Sequence, residues 1–400
     1  MNRLLRHIFA LSLSIIFFDT TLAQQDLLKQ DLLQQDNLLR NEILGCRIVN
    51  GPWRRAFKDN QAAKGFRYYF VSSGLRAIVD DSSASSSIEG YLNHCLGVSS
   101  PITELWDDVP DVMSTKTSIT DADDSNAAML ILLATEYSRT ELGQKWWRVY
   151  HKQVKAIAQR VLLENRLANG LVRVYSLQRE VDDAKYDPIS ENNEPPIEYE
   201  RRVLATRNFR LALQRSAYLM DSCEVYAALH SLTLQLKAVQ DPDTNKFNEA
   251  AAGLANAIAS LYHEQAGAFY ILDTDRMAFP YFYDDESIRF YPHRLAQIFP
   301  ELFNVPLGDD AQTAQRYKSA WQFATANGDW NASLPEDGTS NGYPAMIRGL
   351  IALKRGEYSM ARQHYHWYRK QLSARDTKFA MIDQAGWALQ IEKGLLIVDR

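Results

Sequence analysis

The stretch Asp121-Ala-Asp-Asp-Ser-Asn-Ala-Ala-Met-Leu-Ile-Leu-Leu-Ala-Thr-Glu-Tyr137 sets carboxylates at the mouth of an apolar helix. Asp121 to Asp124 offer N-cap and first-turn carboxylates, which suit the free N–H groups and positive end of a helix. Ala127 to Ala134 are small or apolar on every side, so the pattern predicts a helix buried all round. A deep helix with an acidic end is the unit around which the rest of the chain is read.

That unit recurs. Asp124-Ser125 opens one helix and Asp221-Ser222 another, and 221 − 124 = 97. Two strand-like runs, Gly170-Leu-Val-Arg-Val-Tyr175 and Gly267-Ala-Phe-Tyr-Ile-Leu272, keep the same spacing, since 267 − 170 = 97. A third start, Thr339-Ser340-Asn341-Gly-Tyr-Pro-Ala-Met-Ile-Arg-Gly-Leu-Ile-Ala-Leu353, shares the Ser-Asn opening and the apolar continuation. Helix-like segments fall at about 124–140, 143–165, 203–218, 221–238, 247–264, 291–299, 310–326, 341–354, 357–373 and 376–393, with few strands between them. Trp53 to Val79 and Ile88 to Leu96 are expected to form a first helical hairpin around the Ser-rich linker Ser82–Ser87. An inner apolar helix, a more polar outer helix and a turn make one unit. One hairpin cannot bury both its faces, so about five or six of them are expected to stack into a ring or solenoid.

The chain is long enough for a large core: 400 residues, 46% hydrophobic and 23% charged. A formal charge of −5 without a clustered basic face argues against nucleic acid or an anionic membrane as partner. Residues 1–23 read as a signal peptide: Arg3 and Arg6 precede the apolar run Ile8 to Phe18, and Thr21-Leu22-Ala23 ends in the small residue that cleavage requires. No later run approaches a bilayer span. A periplasmic or secreted mature protein follows, with residues 24–45 as an N-terminal amphipathic arm and 46–400 as a single helical domain. The arm repeats Gln-Asp-Leu-Leu at Gln25 and Gln30 and again, as Gln-Asp-Asn-Leu, at Gln35, and residues 24–44 are a possible docking segment for a protein partner. Of Cys46, Cys95 and Cys223, the first two could form a disulfide in an oxidising compartment, with Cys223 buried on a helix. The Cys and His spacings fit no structural zinc site, and no cofactor or metal is expected. Nucleotide, serine-hydrolase and metalloprotease motifs are missing from the sequence.

If the inner helices point the same way, their acidic starts gather on one rim: Asp121, Asp123, Asp124, Asp221, Glu224, and Glu336 with Asp337 before the third. Glycosidic cleavage needs a protonated carboxyl on the leaving oxygen and a second carboxylate that activates water or attacks the sugar. Asp124 is the candidate base, because Asp121 and Asp123 would raise its pKa by like-charge repulsion; equally, it could simply cap its helix. Glu336, in the loop Leu-Pro-Glu-Asp-Gly, or Glu224 is the candidate acid, and a solvated turn is the plainer reading of Glu336. Asp221 and Glu224, three apart, share a helical face and could grip one sugar or merely cap.

Twenty Tyr and eight Trp include candidates for stacking on sugar rings. Trp106, Trp321, Trp330, Trp387, Tyr218, Tyr226 and Tyr343 are the ones considered, although most such residues fill helix interfaces. The segment Phe279-Pro-Tyr-Phe-Tyr-Asp-Asp-Glu-Ser-Ile-Arg-Phe-Tyr291, with Tyr283 at its centre, mixes aromatics and acids and is the loop most readily placed over a cleft. Arg201-Arg202 and Arg207 to Arg215 form a basic face that could meet acidic sugars but more simply is solvated.

Through Asp121-Ala-Asp-Asp-Ser-Asn-Ala-Ala, Tyr218-Leu-Met-Asp-Ser-Cys-Glu-Val-Tyr-Ala-Ala-Leu229 and Glu336-Asp-Gly-Thr-Ser-Asn-Gly-Tyr-Pro-Ala345, the chain resembles the six-hairpin glycosidase superfamily over about residues 50 to 395. The resemblance implies an all-α fold, an (α/α) toroid or incomplete six-hairpin barrel with short β-turn segments between hairpins. It implies an exported protein whose cleft holds a polysaccharide or oligosaccharide, commonly hydrolysed with inversion by a Glu acid and an Asp base; some members of such folds are lyases, epimerases or inactive binders. A non-catalytic helical-repeat protein, binding a polysaccharide or a protein partner in envelope or matrix polymer assembly, is the alternative.

Overall fold

The computed structural model describes residues 38–98, 106–114, 122–177, 208, 211–274, 278–279, 290–326, 345–373 and 381–398. The first helix, α1 (residues 38–45), buries Leu39 and Ile43 completely in the common core. Then come α2 (Tyr68–Arg76), α3 (Ser85–Val98), α4 (Asp123–Tyr137) and α5 (Glu141–Ile157), the last continued by a π-helical turn, Ala158–Leu163. Strand β1 (Ser216–Tyr218) leads into α6 (Leu219–Ala238) and α7 (Thr244–Ser260). Four short strands follow, β2 (Tyr262–His263), β3 (Ala268–Phe269), β4 (Leu272–Thr274) and β5 (Ala278–Phe279). The chain closes with α8 (Phe299–Leu302), α9 (Asp310–Thr325), α10 (Ala345–Lys354), α11 (Tyr358–Ser373) and α12 (Ile382–Val398).

Helix contacts run α2 to α4 to α6 to α8 to α10 to α12 and back to α2, a closed inner ring of six elements, one of them the single turn α8. Residue chemistry explains the two layers. Helices α4 and α6 are apolar around most of their circumference and bury most of their residues, so they can only lie inside. Helix α5 is two-faced: Trp146, Trp147, Val154 and Ile157 turn inward while Glu141 and Lys145 face solvent. Its start is set by Thr140, whose hydroxyl accepts the Gly143 N–H at 3.0 Å. The all-α toroid expected from the repeat is the observed fold, and its strands are confined to short connections.

The repeat is visible in the backbone. The Asp123 N–H at the start of α4 donates to the Val174 carbonyl at 2.8 Å, and the Leu219 N–H at the start of α6 donates to the Ile271 carbonyl at 2.9 Å. Each inner helix is thus pinned by the chain that has just passed through its own outer helix and turn. The turns match as well: Arg166 bridges Val172, and Tyr262 pairs with Phe269 across β2 and β3. Gly170 and Gly267 both sit at positive φ in these turns, +93° and +63°, where a side chain would strain the backbone.

The ring closes between last and first units. Ile382 N–H, opening α12, donates to the Asp59 carbonyl at 2.7 Å, and α12 then lies against α2 at a glycine crossing. A Cβ on Gly386 would stand 2.8 Å from the Gly74 Cα, and one on Gly74 would overlap the Ile382 carbonyl. Only two glycines allow the backbones to approach this closely.

Several expectations are corrected. Cys46 and Cys95 are not joined; all three cysteines are buried free thiols, and Cys46 Sγ instead donates to the Glu42 carbonyl at 3.3 Å. Residues 216–218 of the expected 203–218 helix are strand β1, paired antiparallel with β4. The first hairpin is shorter than read, because Trp53 to Gly65 form turns and isolated bridges; the Trp53 indole donates to the Ser114 carbonyl at 2.6 Å. Ser85 to Ser87, assigned to a linker, already belong to α3.

Candidate active site

Helices α4 and α6 lie side by side in the inner ring, and their N-terminal turns bring three of the predicted acids together. Asp124 is the second residue of α4, fully buried, with Oδ1 accepting the Ser125 N–H at 2.9 Å and Oδ2 without a hydrogen-bond partner. Asp124 is not the N-cap: Ala122 holds that position and has no side chain to cap with. Asp123 meets the neighbouring chain instead, its Oδ2 accepting the Ser176 N–H at 2.9 Å.

Asp221, half-buried at the third position of α6, and Glu224, 2% exposed one turn on, occupy the same helical face. Tyr69 of α2 donates its hydroxyl hydrogen to Glu224 Oε1 at 2.7 Å, and Glu224 Oε2 is buried without a partner. Burial pushes Glu224 up to about 8, the charge of Asp221 adds to the rise, and the Tyr69 hydrogen bond and Arg76 guanidinium oppose it. Burial likewise drives Asp124 well above the usual carboxylate range, followed by Asp221, with Asp123 and Glu224 adding. The arrangement keeps Glu224 protonated at neutral pH beside a second carboxyl group, Asp221, so the cluster offers a proton donor next to another carboxyl.

A third inner helix carries an acid in the position Asp124 holds. Asp383 is the second residue of α12, fully buried; Oδ2 accepts from Gln384 Nε2 at 3.0 Å and Oδ1 has no partner. Burial raises it to about 7; Asp59 adds to the rise, while Gln384 and Arg67 oppose it. Gln384 in turn accepts the Met346 N–H opening α10 at 3.0 Å, linking two inner helices. Asp383 escaped the sequence reading, although Met381-Ile-Asp-Gln-Ala-Gly-Trp387 repeats the signal of an acid one residue into an apolar helix. Tyr69 escaped as well, because nothing local in Tyr68-Tyr69-Phe70 foretells a partner 155 residues away.

The remaining predicted residues divide. Tyr226 is 8% exposed and stacked on His230, ring centroids 5.9 Å apart and planes at 13°. Tyr218, at the end of β1, packs on the small cluster of Val174, Tyr175 and Leu213. Trp106 belongs to the core, its indole donating to the Cys95 carbonyl at 3.0 Å, and Trp321 lies buried under the Arg355 guanidinium at 4.9 Å. Asp121, Tyr283, Trp330, Glu336 and Tyr343 lie outside the described residues. Among the described residues, no group of three His, Cys, Asp or Glu side chains is placed to hold a metal ion, and no helix is long and apolar enough to cross a membrane.

Solved structures share this architecture. A GH63 mannosylglycerate hydrolase from Thermus thermophilus, in complex with Tris, superposes with a TM-score of 0.54 over 88% of this chain and 99% of its own, at 12% identity. The chain has the fold of the six-hairpin glycosidases. A GH78 family rhamnosidase of Bacillus sp. GL1 gives 0.55 over 84% of this chain at 14% identity, and the match spans 32% of that longer protein. An uncharacterized conserved protein from Thermus thermophilus gives 0.56 over 90% of this chain and 99% of its own, at 11% identity. No family model matches the sequence, and no curated protein matches it.

Proposed function

We propose that the chain is an exported carbohydrate-active enzyme, a glycoside hydrolase that cuts a polysaccharide by general acid–base catalysis, with the periplasm or extracellular space as its location. The observation that carries the reading is the pairing on α6: a buried Glu224, whose pKa is pushed up to about 8, one turn from Asp221. An acid and an anionic carboxylate in one cluster are what glycosidic cleavage demands. In this reading Glu224 protonates the leaving oxygen, Asp221 is its partner carboxyl, and Asp124 lies beside them with a pKa that burial raises. Glu336, before α10, is the other candidate acid. The glycosidase-type toroid supports the substrate class, as do fold neighbours named as a rhamnosidase and a mannosylglycerate hydrolase. The leader-like residues 1–23 support export.

The test is release of new reducing ends from a panel of bacterial and plant polysaccharides by the full chain, with Glu224→Gln, Asp221→Asn and Glu336→Gln in parallel. Cleavage lost in Glu224→Gln without loss of folding supports the assignment. A polymer that is bound but never cut sinks the hydrolase reading and leaves a non-catalytic polysaccharide binder.

A further inference from the structure

Glu136 lies in the last turn of α4, where the negative end of the helix disfavours a carboxylate. Its placement needs a partner from elsewhere, and α2 supplies one. Arg76, the last residue of α2, donates from Nε to Glu136 Oε2 at 2.9 Å and from Nη2 to Oε1 at 2.6 Å, a two-point grip that fixes the plane of the guanidinium. The third nitrogen, Nη1, faces a weak acceptor, the Met129 Sδ, at 3.8 Å. The guanidinium is thereby turned toward α4.

Arg76, Glu136 and Glu224 line one cavity inside the ring. Glu224 Oε1 is taken by Tyr69, and Oε2 is buried without a hydrogen-bond partner, so a guanidinium released into that space would have a carboxylate to pair with. Such a pair favours the charged carboxylate, and the proton would be lost. The ionisable groups that act on Glu224 or share its cavity are Tyr69 and Arg76 on α2, Asp124 and Glu136 on α4, and Asp221 on its own helix, with Arg139 and His230 where the cavity meets solvent. Helices α8, α10 and α12 contribute apolar, aromatic and amide side chains to the lining. Arg76 is the cation that opposes the proton on Glu224, and Glu136 is its counter-charge.

We propose that Glu136 is a positioning residue for the acid: by holding the Arg76 guanidinium against α4 it shields Glu224 from that charge and keeps it a proton donor. The inference rests on the reading of Glu224 as the acid. It fixes the signs of three substitutions. Glu136→Gln leaves the cation uncompensated and loosens the proton on Glu224. Arg76→Gln leaves Glu136 as a further negative charge and tightens it. Made together, the two substitutions remove opposite charges, and their effects on Glu224 largely cancel.

Isotope-edited infrared titration of the full chain reads the Glu224 carboxyl as the band that Glu224→Gln removes, and it needs no substrate. Glu136→Gln is expected to lower the midpoint by about one unit or more, tenfold in proton affinity, Arg76→Gln to raise it by about one unit, and the double variant to lie within about half a unit of wild type. The basic limb of the pH–rate profile for polysaccharide cleavage should move with the same signs. A midpoint unmoved by Glu136→Gln, or moved the same way by both single variants, overturns the proposal, because a pair that served stability alone carries no such sign. If Glu136→Gln does not fold, an upward shift in Arg76→Gln that the double variant cancels supports the shield, and its absence overturns it. Midpoints that move as expected in a chain that cuts no polymer keep the shield and remove the hydrolase reading.

Discussion

The phenolic hydroxyl of Tyr69 lies 2.7 Å from Oε1 of Glu224 and donates to it, joining the first inner helix of the ring to the third. A hydroxyl that donates to a carboxylate stabilises its charged form, and it lowers the pKa of a group that burial has raised. Tyr69 therefore sets how far above neutrality Glu224 keeps its proton.

Tyr69→Phe is expected to move the basic limb of the pH–rate profile upward by about one unit, the worth of a hydrogen bond to a charged group. Asp221→Asn should move it downward in whatever activity remains, because it removes the like charge that helps hold the proton on Glu224. Measuring cleavage from pH 5 to pH 10 checks both, and limbs that do not move would sink the assignment of Glu224 as the acid.

Glu224→Gln should reduce cleavage by about 10²–10⁴-fold, the usual contribution of a positioned general acid. Its glutamine keeps the shape and can still accept from Tyr69, so the melting temperature near pH 6 is expected to stay within a few degrees of wild type. Single-turnover rates and calorimetric scans together separate the chemical loss from a folding defect.

The same buried acids predict a stability that falls with pH. Glu224 and Asp383 are raised in the folded state to about 8 and about 7, so between the unfolded carboxyl range near pH 4 and those values the folded chain holds more protons than the unfolded one. Their contribution is complete below about pH 4 and is lost as pH rises through 7 and 8. Thermal unfolding followed from pH 5 to pH 9 should show this decline. Glu224→Gln and Asp383→Asn should each flatten it and be more stable than wild type at pH 9.

Ring closure depends on Gly74 and Gly386. Gly386→Ala would place a methyl 2.8 Å from the Gly74 Cα, with backbone on both sides and no flexible side chain to yield. A loss of about 2–4 kcal/mol is expected, measured by denaturant unfolding. Gly97→Ala, on α3 with nothing within 4 Å of the added carbon, should instead gain about 0.5–1 kcal/mol.

The helical units were legible because their apolar faces obey local periodicity. The offset of 97 between Gly170 and Gly267 was legible because both turns need a residue that tolerates positive φ. Asp124 and Asp221 were legible as helix-start acids, since N-terminal turns attract carboxylates whatever their later use. Where the reading went wrong, a distant partner decided. Ser216 to Tyr218 have helical neighbours in sequence, but the β4 edge offers them hydrogen bonds, and strand pairing prevails. Cys46 and Cys95 looked like a disulfide pair from compartment and count alone, whereas packing keeps them apart as separate core thiols. Trp106 and Trp321 had the chemistry of sugar platforms, yet both fill the core.

By itself, the sequence determined the class of fold, the repeating unit and the set of acids from which a site could be built, because periodicity, turn residues and helix-end chemistry act over a few residues. Tertiary structure alone decided which acids meet, that Tyr69 and Arg76 reach Glu224, and that Asp383 is buried at the start of α12. Burial and like-charge proximity set those carboxyl pKa values, and both are properties of neighbours that the chain brings together only when Ile382 is pinned to Asp59 and the ring closes.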